Sequence, residues 1–141
     1  MWSKIGVAAL AAGLLAACAP PAQQELTGEA LLARGDYLVN SVVLCNDCHT
    51  PMTPEGPDMA HALQGANLPM APTIEIPFAT IAPPIAGLPP GWTEDQFIHF
   101  LQTGERHTGV PVLPPMPPYR LNDEDARAVA AYIASLPPAG G

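Results

Sequence analysis

Apolar residues follow helical spacing in three separate parts of this chain. The first part runs from Gly28 to Leu44, and the apolar residues on one face of the predicted helix are Leu31, Leu38 and Val42, with Leu32, Val39 and Val43 beside them. Thr27 is in position to cap the N-terminus of this helix. Gly35 lies on the same face and costs helix stability, so we expect either a close contact with another helix or a kink at this position.

The second predicted helix lies in the segment GWTEDQFIHFLQTG. Thr93 and Gln96 have the spacing of a capping box, and Trp92 can pack onto Phe97 as a hydrophobic staple. Gly104 is a typical C-terminal stop signal. These signals predict a short helix with well-defined ends.

The third predicted helix lies in the segment RLNDEDARAVAAYIASLPP. Asn122 is the predicted N-cap, and the acidic residues that follow suit the positive end of the helix dipole. The pair Pro137–Pro138 stops the helix. Its predicted buried face consists of residues small enough for a close crossing at Gly35, namely Ala126, Val129, Ala130 and Ile133.

Between the first two helices, residues 50–91 are rich in proline and glycine and show little periodicity. We find no convincing strands in this region. A long loop without structure is unusual inside a compact domain, yet its apolar content is too high for a disordered linker. We therefore expect it to wrap a bound apolar group with its large apolar residues, Leu63, Leu68, Ile74, Ile76, Phe78, Ile81 and Ile85.

The N-terminus indicates export. Lys4 precedes an apolar run, residues 5–17, that ends in LLAAC; a basic start, a short apolar stretch and small residues form a signal peptide. The run is shorter than the roughly 20 residues of a membrane span, although an uncleaved anchor remains an alternative. Leu15 to Cys18 resembles a bacterial lipobox, which implies acylation of Cys18 as the first mature residue. A signal peptide that leaves Cys18 free, or pairs it in a disulfide, is the other reading.

Length and charge limit the remaining chain to one small acidic domain. The predicted organisation is a signal peptide at 1–17, a lipid-anchored linker at 18–27, the domain at 28–138 and a short tail at 139–141. The whole chain carries a net charge of −8, and removal of Lys4 makes the mature chain one unit more negative. Nucleic-acid binding needs clustered Lys and Arg, so we exclude it. An acidic surface suits a partner with a basic face.

The chemistry of the chain centres on the segment LCNDCHTP, residues 44–51. If Cys18 is the lipid site, Cys45 and Cys48 remain as a pair. Structural zinc needs four ligands and no second pair exists, and a thioredoxin-like redox motif would accompany a βαβ pattern that is absent. With His49, the pair completes C-x-x-C-H, the attachment signature of c-type haem. The motif occurs once, which predicts one covalently bound haem.

Three blocks of the sequence, RGDYLVNSVVLCNDCHTP, GWTEDQFIHFLQTG and PPMPPYRLNDEDARAVAAYIASLPP, resemble class I c-type cytochromes. They are most similar to the haem domains of cytochrome subunits that serve membrane-bound alcohol and aldehyde dehydrogenases. The resemblance implies an all-α class I cytochrome c fold. Three to four helices and long Pro-rich loops would then wrap around the haem.

The resemblance also implies a methionine as the second axial ligand of the iron. Met116, in PPMPP, has the family's position before the last helix, and the flanking prolines predict a stiff, extended loop. Met70 and His107 are the alternatives, whereas Met52, Met59, His61 and His99 are read as surface or core residues. The candidates for binding the haem propionates are Trp92, Tyr119 and Arg120.

Ligation by His49 and Met116 would fill both axial positions and favour electron transfer over catalysis. The expected function is an electron carrier, not an enzyme, between a periplasmic or membrane dehydrogenase or respiratory complex and an acceptor. It would sit on the periplasmic side of a bacterial membrane through its lipid anchor. A haem enzyme or gas sensor with an open distal site is the alternative, and a subunit whose haem is purely structural is another.

Overall fold

Four α-helices form the framework of the protein in a computed structural model that describes residues 25–140. They are α1 (Gly28–Tyr37), α2 (Asn46–His49), α3 (Glu94–Thr103) and α4 (Asp123–Ser135). Helix α4 packs against both α1 and α3. Its buried face is completely inaccessible to solvent and contains the four predicted residues together with Ala128: Ala126, Ala128, Val129, Ala130 and Ile133.

The crossing of α1 and α4 depends on Gly35. This glycine is buried, and a Cβ atom added to it would lie 2.5 Å from the Cβ of Tyr132 and would collide with the main-chain carbonyl of Ala128. The predicted close approach of the two helices at Gly35 is therefore confirmed. Beside this contact, an ion pair of 2.8 Å between Arg34 Nη2 and Asp125 Oδ1 joins the same two helices.

The first helical segment does not continue as an α-helix to Leu44. After α1 the chain forms a π-helical turn over Leu38–Val42, in which the amide of Val43 donates to the carbonyl of Leu38 at 2.7 Å. A π turn contains one residue more than an α turn, so the buried face moves by one position. Val43 is consequently buried, whereas Val42 is 52% exposed, and the prediction that Val42 belongs to the buried face is wrong.

Two of the three predicted helix caps form as expected. Thr93 and Gln96 make both bonds of the capping box, and Gly104 ends α3 in the left-handed conformation. Asn122 Oδ1 accepts from the Asp125 amide at 2.8 Å. Thr27 occupies the N-cap position of α1 but its side chain makes no capping hydrogen bond.

The region from 50 to 91 contains short strands, contrary to the prediction. Strands β1 (Met52–Thr53) and β2 (Gly56–Pro57) form one antiparallel pair, and β3 (Ala66–Asn67) and β4 (Ile81–Ala82) form another. Each strand has only two residues, too few to produce a recognisable alternation of apolar and polar positions. The second pair closes a loop over residues 68–80 at its base.

The apolar residues of this region have different environments. Leu63 belongs to the core, with 1% exposure, while Leu68, Ile81 and Ile85 line a cavity. Ile74 and Ile76 are exposed, and neither Leu63 nor Phe78 is part of the cavity wall. The expectation that all seven residues wrap one apolar group is therefore correct only for Leu68, Ile81 and Ile85. The described residues therefore form four α-helices and two small antiparallel strand pairs, so the predicted all-α class is confirmed only in part.

The predicted signal peptide at 1–17 and the predicted lipid site Cys18 lie outside the described residues. Within residues 25–140, no helix has the length and apolar character of a membrane span.

Candidate functional site

An apolar cavity of about 500 Å³ opens between the helices and the loops. Its wall contains all four residues predicted to hold the haem: Cys45, Cys48, His49 and Met116. The rest of the wall is largely apolar, as in most cofactor sites. It includes aromatic and aliphatic side chains from α3 and from three loops, among them Leu68, Ala82, Ile85, Phe97, Phe100, Leu101, Val112 and Leu113.

A single turn of helix places the three motif residues side by side. Leu44 adopts a left-handed conformation with φ of 58°, which ends the preceding helical segment, and α2 starts two residues later. The His49 amide donates to the Cys45 carbonyl at 2.9 Å. Residues three and four apart share one face of such a turn, and this explains why Cys45, Cys48 and His49 all reach the same cavity.

Cys45 and Cys48 do not form a disulfide with each other. Burial raises the pKa of Cys45 to about 11, with smaller contributions from Cys48 and Asp47. An unattached Cys45 is therefore a neutral thiol near neutral pH. A neutral sulfur suits an apolar wall, because burial of a charge there is costly.

The orientation of His49 is fixed by a hydrogen bond from its ring. Nδ1 lies 2.7 Å from the main-chain carbonyl oxygen of Pro83, and since a carbonyl can only accept, Nδ1 must carry the proton. Nε2 is then left with its lone pair available to a metal, as in many metal-bound histidines. Burial lowers the pKa of His49, which also favours the neutral ring that coordination requires.

Hydrogen bonds to Thr50 and to the His49 carbonyl hold the helical turn α2 against residues 63–65. Thr50 Oγ1 donates to Asn46 Oδ1 at 2.6 Å and accepts from the Leu63 amide at 3.0 Å. The Gly65 amide donates to the His49 carbonyl at 2.8 Å. Because Thr50 is 2% exposed, these bonds are shielded from water, and loss of the hydroxyl would leave the Leu63 amide without a partner.

Met116 lies in a turn and not in the extended loop that its prolines predict. Its amide donates to the Leu113 carbonyl at 3.2 Å, and the Pro114 carbonyl accepts from the Ala79 amide at 2.8 Å. Met116 is partly buried against the core. The two alternative ligands, Met70 and His107, do not line the cavity. Met70 is 46% exposed, and the His107 ring packs edge-on against Trp92, with the ring centroids 4.5 Å apart.

Only two of the three residues predicted to bind the haem propionates line the cavity. Trp92 and Tyr119 line the cavity, but Arg120 does not; its guanidinium donates to its neighbour's carbonyl at 2.6 Å. Arg106 lines the cavity instead. Sequence analysis missed it, although a basic residue three positions after the end of α3 in a strongly acidic chain was a usable signal.

The chemical character of the cavity wall fits a c-type haem. The macrocycle needs apolar surroundings, the two thiols have the spacing of the attachment motif, and His49 Nε2 and the Met116 thioether are suitable axial ligands. Arg106, Trp92 and Tyr119 are the polar side chains beside which the carboxylates of the group could lie.

A family match and a set of curated relatives both show that the chain is similar to cytochrome c domains. Residues 30–133 match the family described as cytochrome c oxidase, cbb3-type, subunit III. Among curated proteins, the cytochrome c subunit of alcohol dehydrogenase (quinone) from Gluconobacter oxydans is 33% identical over an alignment of 116 residues, which covers 75% of this chain. The corresponding subunits from Gluconacetobacter polyoxogenes and Komagataeibacter europaeus are 32% identical over 123 residues. The chain covers 24% of the first relative and 25% of the other two.

Proposed function

Because the chain belongs to the cbb3-type cytochrome c oxidase subunit III family of cytochrome c domains, we propose that it carries electrons through one covalently bound haem c. The observation that carries this proposal is the meeting of Cys45, Cys48, His49 and Met116 at one apolar cavity. Two thiols, an imidazole and a thioether are the complete set of protein groups that a His/Met-ligated c-type haem requires.

Each of these residues has a defined role in the proposal. Cys45 and Cys48 would hold the haem covalently through their sulfur atoms, and His49 and Met116 would ligate its iron. When bound, the haem provides the one-electron chemistry. The Pro83 carbonyl keeps His49 in the correct tautomer, and the Met116 sulfur favours the reduced iron. The apolar wall limits access of water.

Arg106, which lines the cavity, takes the place of Arg120 as the basic partner of a haem carboxylate in this proposal. A guanidinium beside an apolar wall can form a charge-assisted hydrogen bond with a carboxylate. Trp92 and Tyr119 remain the neutral candidates.

The route for electrons lies at the open edge of the cavity. Four aliphatic residues of the wall with large side chains are also exposed to solvent: Leu44, Ile81, Val110 and Leu113. We call these residues the apolar rim. A partner that packs against the apolar rim would approach the haem closely, and its basic groups would complement the acidic surface of this chain.

The proposed partner is a dehydrogenase complex, because the curated relatives are cytochrome c subunits of quinone alcohol dehydrogenases. The proposed location is the periplasmic side of a bacterial membrane, with residues 1–17 removed and a lipid on Cys18. A Cys18→Ser variant should then be released from the membrane fraction. A variant that stays bound would contradict the lipid anchor without affecting the haem proposal.

The decisive experiment for the haem site is replacement of Met116 by alanine. The unmodified protein should be low-spin and show the far-red sulfur-to-iron charge-transfer band when oxidised. Met116→Ala should remove this band, lower the reduction potential and open the iron to exogenous ligands. Met70→Ala is the matched control and should keep the band. Loss of the band in Met70→Ala alone would make Met70 the ligand.

Two further outcomes test the proposal as a whole. If the unmodified protein lacks the band and binds carbon monoxide readily, the open distal site of a gas sensor or haem enzyme is the better description. If acid acetone extracts all the colour, Cys45 and Cys48 do not bind the haem covalently.

A further inference from the structure

One side-chain hydrogen bond joins the segment that carries Met116 to the segment that carries the cysteines. The hydroxyl of Tyr119 donates to the main-chain carbonyl of Val43 at 2.9 Å, across 76 residues of sequence. Tyr119 follows Met116 by three residues, and Val43 precedes Cys45 by two. The phenol ring also lines the cavity, so this bond lies beside the proposed haem.

The carbonyl of Val43 is available because the helix ends there. The last carbonyls of a helix lack partners within the helix, and the left-handed Leu44 turns the chain away directly after Val43. The Cys45 amide donates to the Val39 carbonyl at 3.0 Å and therefore makes no hydrogen bond to the Val43 carbonyl. The Tyr119 hydroxyl donates the hydrogen bond that the Val43 carbonyl does not receive from within the helix.

The loop around Met116 is otherwise held by main-chain bonds at its two ends. Ala79 donates to Pro114 at 2.8 Å on one side, and Leu121 donates to Leu101 at 3.1 Å on the other. Neither bond reaches the segment that carries the cysteines. The bond from Tyr119 does, and it lies between Met116 and the second of these anchors.

We propose that Tyr119 is a positioning residue whose bond to Val43 holds the Met116 thioether at the iron. The proposal rests on the proposed function, since it assumes that Met116 is a ligand. Without the bond, the loop would open more often, and the sulfur would leave the iron for a larger fraction of the time. An exogenous ligand that binds only the open form then gains apparent affinity in proportion to that fraction.

Tyr119→Phe tests this inference because it removes the hydroxyl and keeps the ring. Tyr132→Phe is the matched control: the Tyr132 hydroxyl accepts from Asn40 Nδ2 at 3.3 Å, so it also contacts the first helical segment, but it does not contact the Met116 loop. Imidazole is titrated into each oxidised protein, and its binding is followed by the loss of the far-red band. Denaturant unfolding of each variant measures the change in overall stability.

We expect the apparent imidazole affinity of Tyr119→Phe to rise about 3- to 10-fold over the unmodified protein, which is the range for loss of one hydrogen bond. Tyr132→Phe should bind imidazole like the unmodified protein. Equal imidazole affinity in all three proteins, with Tyr119→Phe less stable to denaturant, would show that the bond only caps the helix and would overturn the inference. Absence of the band from the unmodified protein would overturn the inference together with Met116 ligation.

Discussion

A main-chain carbonyl far along the sequence determines how the histidine of the attachment motif can act. Pro83 follows His49 by 34 residues, yet its oxygen fixes the ring tautomer through a bond of 2.7 Å. The bond leaves Nε2 free to coordinate, and burial keeps the ring neutral. Thr50 also depends on a distant group, because its hydroxyl accepts a hydrogen bond from the Leu63 amide while it donates one to Asn46 Oδ1. Individual site residues thus owe their chemistry to neighbours that the motif does not contain.

The phenol of Tyr119 predicts a loss of stability at alkaline pH. Burial is the largest cause that raises its pKa to about 12, against about 10 in an unfolded chain. Above about pH 10 the unfolded chain loses this proton and the folded chain keeps it, so the unfolded state binds fewer protons and stability falls as the pH rises. Denaturant unfolding between about pH 10 and pH 12 should show this decline, and Tyr119→Phe should make it shallower.

Tyr37→Phe is the control for this prediction, because Tyr37 is 54% exposed. Its decline in stability should match that of the unmodified protein. If Tyr119→Phe declines as steeply as the unmodified protein, the phenol of Tyr119 is not the group that resists ionisation in the folded state.

At the scale of the element, the π turn after α1 decides which side chains enter the core. The extra residue in the turn brings Leu38 and Val43 onto one face, whereas a continuous α-helix would pair Leu38 with Val42. The Cys45 amide donates to the Val39 carbonyl of this π turn at 3.0 Å, and Cys45 lines the cavity. One added residue in the helical turn therefore affects both the core and the haem site.

Two neighbouring valines give a direct test of this register. Val43 is buried and Val42 is 52% exposed. We expect Val43→Ala to lower the free energy of unfolding by about 1–3 kcal/mol, because most of a buried valine side chain is lost. Val42→Ala should change it by less than about 0.5 kcal/mol. The reverse order in denaturant unfolding would indicate a continuous α-helix.

The crossing of α1 and α4 predicts an unusual sign for a glycine substitution. Replacing a helical glycine by alanine normally stabilises a helix by roughly 0.5–1 kcal/mol. At Gly35 the new methyl group would collide with the Ala128 carbonyl, and main chain cannot move aside as a flexible side chain can. We therefore expect Gly35→Ala to destabilise the protein by about 1–3 kcal/mol in denaturant unfolding.

Ala33→Gly calibrates helix propensity in the same helix, since Ala33 is exposed. It should cost about 1 kcal/mol. A stabilised Gly35→Ala variant would mean that α1 and α4 do not cross closely at this residue.

For the whole molecule, surface charge and the apolar rim would act together in the proposed encounter with a partner. The chain carries 13 acidic and 5 basic residues, which favours encounter with a basic partner and predicts rates that fall with salt. The rim residues Leu44, Ile81, Val110 and Leu113 belong to the cavity wall and are exposed to solvent. Charge would bring the partner close, and the apolar rim would permit direct packing.

Two exposed isoleucines separate these contributions. Ile81 is 63% exposed in the apolar rim, and Ile74 is 68% exposed outside the cavity wall. If the proposed dehydrogenase partner docks on the apolar rim, Ile81→Asp should slow reduction of the protein by that partner by about tenfold, since the partner would have to bury an unpaired charge. Ile74→Asp adds the same charge and should have a much smaller effect. Equal slowing in stopped-flow measurements would show that net charge alone governs the encounter.

The sequence alone determined those features that depend on neighbours in the chain, whereas the tertiary structure decided those that depend on distant contacts. The C-x-x-C-H motif, the caps at Thr93 and Asn122 and the buried face of α4 are set by interactions within a few residues, so spacing and residue type were sufficient to predict them. Gly35 was also predictable, because its cost to a helix called for a compensating contact. The π turn, the Pro83 bond to His49, the place of Arg106 in the cavity and the exposure of Ile74 were not. Each of these depends on how segments far apart in sequence pack together, and packing can override local preference when it buries more apolar surface or satisfies a buried polar group.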